Sequence, residues 1–341
     1  MLILGITLIV VFYSLILVMG ICVSRRENSA ESKSKMISAE NSLGLLVGVL
    51  SLTATEVGGA FITGTAEAVY TRGLLWAIAP IGYSLSMTIN GAFFVRKLRD
   101  RKHVTLIDSL QLAYGRGLGA AIYFPSCVGD VCWTAAILSA LGSTLEIVLG
   151  VSRAVSVPVS ALVVVTYTYL GGMYSVAYTD TVQVAFMFCG LFLVLPSICT
   201  SERVDWKAAD HKDWLGTVEP KSALEFIDTW LLVVLGGIPW QPYYQRALAM
   251  TSNRGAFLLS FIATVCSLLC MVPPVVIGVA ARTVEWNSTE IGRLDFKAED
   301  VLPALIRLET PPLLSYISLA AIRYKQLYFN YIFNANSSFS L

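Results

Sequence analysis

The sequence predicts an all-α integral membrane protein, and three features lead to this expectation. Of the 341 residues, 56% are hydrophobic and only 14% are charged, whereas soluble domains carry roughly 25% charged residues. Apolar runs recur along the chain at the length of about 20 residues that a helix needs to cross the hydrocarbon core of a bilayer. Two of these runs contain glycines or prolines that disfavour an undisturbed helix.

Eight of the apolar runs are long enough to be membrane spans. The first, Leu2–Val23, carries no charge and lacks the small-residue cleavage site of a signal peptide, so we expect it to remain as a span. The others are Leu43–Tyr70, Leu74–Val95, Leu118–Leu145, Val155–Leu170, Thr181–Cys199, Leu224–Tyr244 and Phe257–Ala281. A ninth run, from about Pro311 to Ile322, is too short to cross. We therefore expect a transmembrane region over residues 1–322 with about eight complete spans and a partial ninth, followed by a tail over 323–341.

Loop charges predict the orientation of these spans. Lysines and arginines concentrate in the loop Ser24–Glu40 and in the loop after the third span, and Arg246 and Arg254 flank the turn between the seventh and eighth spans. Because cytoplasmic loops are enriched in lysine and arginine, we expect these loops in the cytoplasm and the N-terminus outside. The loop Arg282–Thr310 then lies outside, where the sequon that begins at Asn287 is a candidate glycosylation site.

Several function classes find no support in the composition. The net charge of +1 gives no basic surface for nucleic acid. The two histidines and seven cysteines form no pattern typical of a metal site, so no metal is expected. No nucleophile–base pair indicates an enzyme, and a multi-span receptor would not explain the two interrupted spans.

The second span is interrupted near the middle of the membrane by Gly58 and Gly59, directly after Glu56. One interpretation is that the glycines let helices pack closely. The other is that the helix breaks there, since irregular backbone in a membrane is tolerated where it is buried or lines a cavity, and transporters bind ions and substrates at such breaks. The carboxyl group of Glu56 favours the second interpretation, because charged groups at this depth are costly and usually functional.

The seventh span contains a matching interruption. Gly236, Gly237, Pro239 and Pro242 lie within seven residues of one another, and they cannot all occupy an undisturbed helix. Interruptions at corresponding positions of two halves are typical of the binding site of a transporter.

Three further acidic residues lie within predicted spans. Asp180 follows the glycine pair Gly171-Gly172, which predicts a short turn between the fifth and sixth spans. Asp180 could cap the helix after this turn or contact an ion or proton. Glu67 and Asp130 are interpreted as paired structural or gating groups.

Together these segments resemble the sodium:solute symporter family. The stretch 171–183 is similar to the signature of the family, and the runs 64–70, 79–86 and 236–241 are similar to the members that carry choline. The similarity extends from about Ile9 to Ile322. It implies an inverted-repeat (LeuT-like) transporter fold with a first helix and two inverted five-helix repeats, of which the first is complete here and the second incomplete.

The resemblance also implies an activity: sodium-driven, chloride-dependent uptake of choline or a similar small cation, in support of neurotransmitter biosynthesis. It implies a location in the plasma membrane, or alternatively in synaptic-vesicle or endosomal membranes. Sodium and chloride would be transported or required ions, with no resident cofactor, and the chain could form a homo-oligomer in the bilayer. An aromatic cage carries over to Tyr83, Trp133 and Trp240, whose ring faces can hold an ammonium that has no N–H. The sodium site carries over to the backbone carbonyls of Ala54 and Val57.

Two departures from the family pattern affect the expected function. Where the choline-carrying members have a cage tryptophan, this chain has Glu56, which could pair with an ammonium substrate or stay neutral or internally paired. The tail after Ile322 resembles nothing in the family, and the serine-rich sodium helix expected there is missing. We therefore expect either a truncated symporter that is inactive as this chain, or a non-transporting isoform that modulates a full-length partner.

Overall fold

The computed structural model describes residues 43–101, 106–149, 152–207, 214–289 and 297–326, and these are almost entirely helical. The all-α class expected from the sequence is therefore confirmed for this part of the chain. The expected first span, Leu2–Val23, and the tail after Gln326 lie outside the described residues.

The helices follow the apolar runs closely. In chain order, they are α1 (Leu45–Glu56), α2 (Gly59–Arg72), α3 (Ile78–Ile89), α4 (Val95–Asp100), α5 (Leu106–Tyr114), α6 (Arg116–Leu149), α7 (Arg153–Cys199), α8 (Ala223–Gly237), α9 (Gln241–Leu248), α10 (Asn253–Thr283), α11 (Val301–Glu309) and α12 (Pro312–Gln326). A π-helical segment, Asn90–Phe94, joins α3 to α4. Segments of this kind inside α-helices are frequent at functional sites.

Within the described ranges, four helical stretches are long and apolar enough to cross a membrane: Ile78–Asp100, Asp180–Cys199, Ala223–Leu248 and Asn253–Thr283. A fifth span is formed if α1 and α2 are counted together, although the chain bends by 47° between them. Large apolar side chains such as Leu224, Leu232 and Phe93 point outward and are more than half exposed. Such surfaces are expected on a protein that contacts lipid.

The turn expected at Gly171-Gly172 is wrong, because Arg153–Cys199 is one continuous helix of 47 residues. Glycine weakens a helix by roughly 1 kcal/mol relative to alanine, but it keeps both backbone hydrogen-bonding groups. A glycine pair therefore permits a turn without requiring one. The expectation that Asp180 begins a new helix fails for the same reason, since it lies well inside α7.

Helix α10 lies at the centre of the packing. Toward its start, Leu259 and Ala263 belong to an apolar cluster with residues of α1 and α9, and toward its end, Ile277 and Ala280 belong to a second cluster with α2, α7, α11 and α12. Between these clusters α10 passes the end of α1, where the first break occurs. The packing therefore places this break against a fully buried helix face.

Candidate functional site

The first break separates α1 from α2 and leaves the backbone of Val57 and Gly58 outside both helices. The amide of Val57 bonds to the carbonyl of Thr53 at 2.9 Å, and the amide of Gly58 bonds to the carbonyl of Glu56 at 2.8 Å. In a continuing helix the Gly58 amide would instead bond to the carbonyl of Ala54. The break thus removes the helical partner of the Ala54 carbonyl, at a helix C-terminus that carries partial negative charge.

The second break separates α8 from α9 at Ile238, Pro239 and Trp240. Gly237 ends α8 where this helix crosses α3, and a Cβ atom at Gly237 would lie 2.3 Å from Ser86 Oγ. Only glycine therefore allows this approach of the two helices. Pro242 lies in the first turn of α9, where a missing amide hydrogen costs no helical hydrogen bond.

Three aromatic rings face one cavity between the two breaks. Tyr83 comes from α3, Trp133 from α6 and Trp240 from the second break. The ring centroids of Tyr83 and Trp133 are 6.0 Å apart with an interplanar angle of 83°, and those of Tyr83 and Trp240 are 6.4 Å apart at 29°. The structure thus brings together the three residues that the sequence analysis assigned to a cage.

The cavity has a volume of about 480 Å³ and contains polar groups besides these rings. Glu56, Asp130 and Gln241 all line it, together with apolar residues of α5, α6 and α8. Its described lining residues include no lysine or arginine. Two carboxyl groups without a basic side chain among these residues make the cavity suited to a positively charged ligand.

Glu56 is only 2% exposed and lies at the last position of α1. The hydroxyl of Ser267 on α10, itself fully buried, donates a hydrogen bond of 2.7 Å to Glu56 Oε2. This bond fixes the orientation of the carboxyl group at the edge of the cavity. The helix C-terminus and the carboxyl group both favour a cation at this position.

Comparison with known proteins decides the family. A model of the sodium:solute symporter family matches residues 36–323. The chain belongs to the sodium:solute symporter family. High-affinity choline transporter 1 of Drosophila melanogaster is 41% identical over 323 residues, which cover 93% of this chain and 53% of that protein. The human high affinity choline transporter 1 is 41% identical over 334 residues, with coverages of 93% and 58%.

A third relative, high-affinity choline transporter 1 of Caenorhabditis elegans, is 39% identical over 338 residues. These cover 94% of this chain and 59% of that protein. The chain therefore spans between 53% and 59% of the length of these three relatives. Its place in this family of transporters makes it a multi-pass membrane protein.

A solved structure of a symporter confirms the fold. It is described as the substrate-bound outward-open state of a Na⁺-coupled sialic acid symporter with a novel Na⁺ site. The TM-score is 0.81 at 16% sequence identity, and the match covers 98% of this chain and 72% of that chain. At this identity the likeness shows the fold alone, and it confirms the inverted-repeat (LeuT-like) transporter fold.

In this chain, Asp180 lies in a buried ion pair rather than at a helix start. Arg246 Nη2 is 3.2 Å from Asp180 Oδ2, and each side chain is 4% exposed. Ser51 Oγ donates to Asp180 Oδ2 at 2.8 Å and accepts from Arg246 Nε at 3.1 Å. The three residues link α7 to both broken helices, through α1 and α9.

The position of Arg246 corrects a second expectation. The sequence pattern predicts Arg246 among the charges of a cytoplasmic loop, but it lies in α9 and is 3% exposed. Its Nη1 also donates to the carbonyl of Pro242 at 3.2 Å. Arg246 therefore cannot be used to argue for the orientation of the chain, because it contributes no exposed loop charge.

Asn90 is a buried residue at the site that the sequence analysis missed. It begins the π-helical segment, and its Nδ2 donates to the carbonyl of Gly237 at 3.1 Å. Its Oδ1 accepts from Tyr244 Oη at 3.0 Å. Asn90 therefore contacts both halves of the second broken helix. The available signal was an asparagine inside an apolar span, where a polar side chain needs partners.

The remaining expected site residues are not brought to the cavity. Glu67 lies half-buried on α2. It is absent from the cavity lining, whereas Asp130 is part of it. The predicted pairing of Glu67 with Asp130 has no support here. Asn287 is exposed on the 3₁₀ turn after α10, so its glycosylation stays a prediction.

Proposed function

We propose that the chain carries the substrate site of a sodium-coupled, chloride-dependent symporter for choline or a related small ammonium ion. The observation that carries this proposal is the cavity in which Tyr83, Trp133 and Trp240 surround a space shared with Glu56 and Asp130. The three relatives named as choline transporters support the same substrate class.

The chemistry of this cavity favours an ammonium group. A ring face attracts a cation by about 0.5–2 kcal/mol, and several rings around one cation act together. The carboxyl groups of Glu56 and Asp130 add negative charge in an environment with little water, where it attracts a cation more strongly than at a surface. An anionic substrate would be repelled by the same groups.

The proposed sodium site lies at the first break. Backbone carbonyls released by a broken helix, together with a helix C-terminus, coordinate sodium in transporters of this architecture. Ala54 and Val57 are buried at this position, with exposed fractions of 1% and below. We assign the sodium ion to their carbonyls. The plasma membrane as the location and an extracellular N-terminus belong to the same proposal.

Binding by the purified chain tests this proposal. Because the chain spans only part of the length of its relatives, equilibrium binding of radiolabelled choline in lipid nanodiscs is measured instead of uptake. Binding in sodium chloride is compared with binding in potassium chloride and in sodium gluconate. Potassium replaces sodium because an organic ammonium salt would compete with choline for the site. We expect binding that depends on sodium and is weakened without chloride. Saturable binding of equal strength in potassium chloride would contradict the proposed sodium coupling.

Substitutions test whether choline binds in this cavity. Trp240→Ala and Tyr83→Ala are expected to weaken choline binding by about 3- to 30-fold, the equivalent of one lost cation–π contact. Trp206→Ala serves as the matched control, because Trp206 is 38% exposed and does not line the cavity. Equal losses in all three variants would place the binding site elsewhere.

A further inference from the structure

The cavity contains a buried carboxyl group where a purely aromatic cage would suffice for a quaternary ammonium. Glu56 is 2% exposed, and its Oε2 is already fixed by the hydroxyl of Ser267. A carboxylate accepts hydrogen bonds, and bonds from a charged donor are the strongest that it can form. A quaternary ammonium has no N–H and offers only its charge. An ammonium that keeps a hydrogen can use both its charge and its donor.

A second polar group in the cavity is Gln241. It is 3% exposed, it follows Trp240 directly as the first residue of α9, and it lines the cavity. Neither its Oε1 nor its Nε2 has a hydrogen-bond partner within the described part of the chain. Buried amides are almost always hydrogen-bonded, because leaving them unpaired costs free energy. An amide in this situation calls for a ligand that can both donate and accept, as a hydroxyl does.

From these two side chains we infer that the preferred ligand is a small protonated amino alcohol whose nitrogen carries at least one hydrogen. Glu56 accepts the N–H, and Gln241 bonds the hydroxyl, while the three rings hold the alkyl groups on the nitrogen. The inference rests on the proposed function, in which this cavity is the substrate site. It goes further by ranking tertiary and less substituted amines above choline.

Calorimetric titration of the purified chain in nanodiscs with sodium chloride at pH 7 tests the inference. Three ligands are compared: choline, N,N-dimethylethanolamine, which replaces one N-methyl of choline by a hydrogen, and N,N-dimethylpropylamine, which replaces the hydroxyl of dimethylethanolamine by a methyl. Both amines are protonated at this pH. We expect dimethylethanolamine to bind at least about 10-fold more tightly than either of the others, a difference of about 1.4 kcal/mol.

Glu56→Gln is expected to bring dimethylethanolamine and choline to within about 2-fold of each other, because the amide keeps the shape of the side chain and loses the charge. Glu67→Gln is the matched control, since it makes the same change at a carboxyl group of α2 that is absent from the cavity lining. An unchanged preference in Glu56→Gln, or an equal loss of preference in Glu67→Gln, would overturn the assignment to Glu56.

Gln241→Met is expected to abolish the preference for the hydroxyl, so that dimethylethanolamine and dimethylpropylamine bind equally. Gln245→Met is its control, one turn further along α9 and outside the cavity lining. A hydroxyl preference that survives in Gln241→Met would overturn the role of Gln241.

The native chain alone already decides the main point, whether or not the variants fold. If choline binds as tightly as dimethylethanolamine or more tightly, the inference is overturned while the proposed function stands. If none of the three ligands binds, the proposed function fails and the inference fails with it.

Discussion

Asn90 Nδ2 donates a hydrogen bond of 3.1 Å to the carbonyl of Gly237, the last residue before the second break. The same side chain accepts from Tyr244 on the far side of the break. A single buried amide thus satisfies one group on each half of the broken helix. Trp240, a ring of the cavity, lies on the segment between these two bonds.

We therefore expect Asn90→Leu to lower both stability and ligand affinity. The change keeps a similar volume but leaves the Tyr244 hydroxyl and the Gly237 carbonyl without this partner, which costs about 1–3 kcal/mol per buried group. Thermal unfolding in detergent and choline binding are the measurements. Asn90→Asp, which keeps the acceptor for Tyr244, is expected to recover part of the stability.

Thr88→Val is the control for Asn90, because Thr88 lies on the same helix and bonds to Thr264 instead of the break. It should leave choline affinity within about 2-fold of the native value. An Asn90→Leu variant with native affinity would show that Trp240 is positioned by other contacts.

Alanine substitutions of the two neighbouring glycines at the end of α8 are expected to have opposite effects on stability. A Cβ atom on Gly237 would lie 2.3 Å from Ser86 Oγ and 2.7 Å from Ser86 Cβ, whereas Gly236 has open space around it. Gly237→Ala is expected to destabilise the protein by about 1–3 kcal/mol through overpacking. Gly236→Ala should be neutral or slightly stabilising, because alanine is the better helix former.

Thermal unfolding of both glycine variants, with and without choline, provides the comparison. Ser86→Gly in the Gly237→Ala background removes both atoms that the new Cβ meets and should restore part of the stability. If Gly236→Ala destabilised the protein more than Gly237→Ala, the close packing of α8 against α3 would not explain the glycine at position 237.

Features of the chain that depend on local sequence could be predicted from it. Glycine and proline weaken helices, so both breaks could be located from the sequence, but the uninterrupted pair Gly171-Gly172 shows that this signal permits a break without requiring one. The cage residues followed from the family resemblance, and the structure places Tyr83, Trp133 and Trp240 at one cavity. The apolar runs gave the helices, because length and hydrophobicity decide which segments enter a membrane.

Contacts between distant parts of the chain could not be predicted in the same way. Asp180 and Arg246 are 66 residues apart, and Ser51 and Arg246 are 195 residues apart. Nothing in the local sequence distinguishes a buried arginine from one in a loop, so the sequence predicts a loop position for Arg246. It predicts only a helix cap or an ion or proton contact for Asp180, and not its pairing with Arg246. Gln241 likewise belongs to the run 236–241 that resembles the family, but its position in the cavity lining is visible only in the structure.

Glycosylation at Asn287 offers a direct test of the orientation. Asn287 is exposed on a 3₁₀ turn at the end of α10. If this turn faces the lumen during synthesis, expression in mammalian cells should give a band that moves to lower mass after treatment with a glycosidase. Asn287→Gln should remove this shift. The sequence has a second sequon at Asn336. Loss of the shift only when Asn336 is changed would assign the glycan to the tail.

The ion pair of Asp180 and Arg246 yields a prediction about stability. Removing one member of a buried pair costs about 3–5 kcal/mol because it leaves the other charge uncompensated. Arg246→Met and Asp180→Leu should therefore each destabilise the protein strongly. The double variant should recover most of the loss, since two apolar side chains of similar size often replace a buried pair at little cost.

A double-mutant cycle on the unfolding free energy measures this coupling. We expect an interaction energy of at least about 2 kcal/mol, which is large compared with the additivity of distant sites. The Ser51→Ala variant distinguishes a pair from a network, because Ser51 bonds to both charged side chains. If Arg246→Met and Asp180→Leu were simply additive, the pair would contribute no specific coupling.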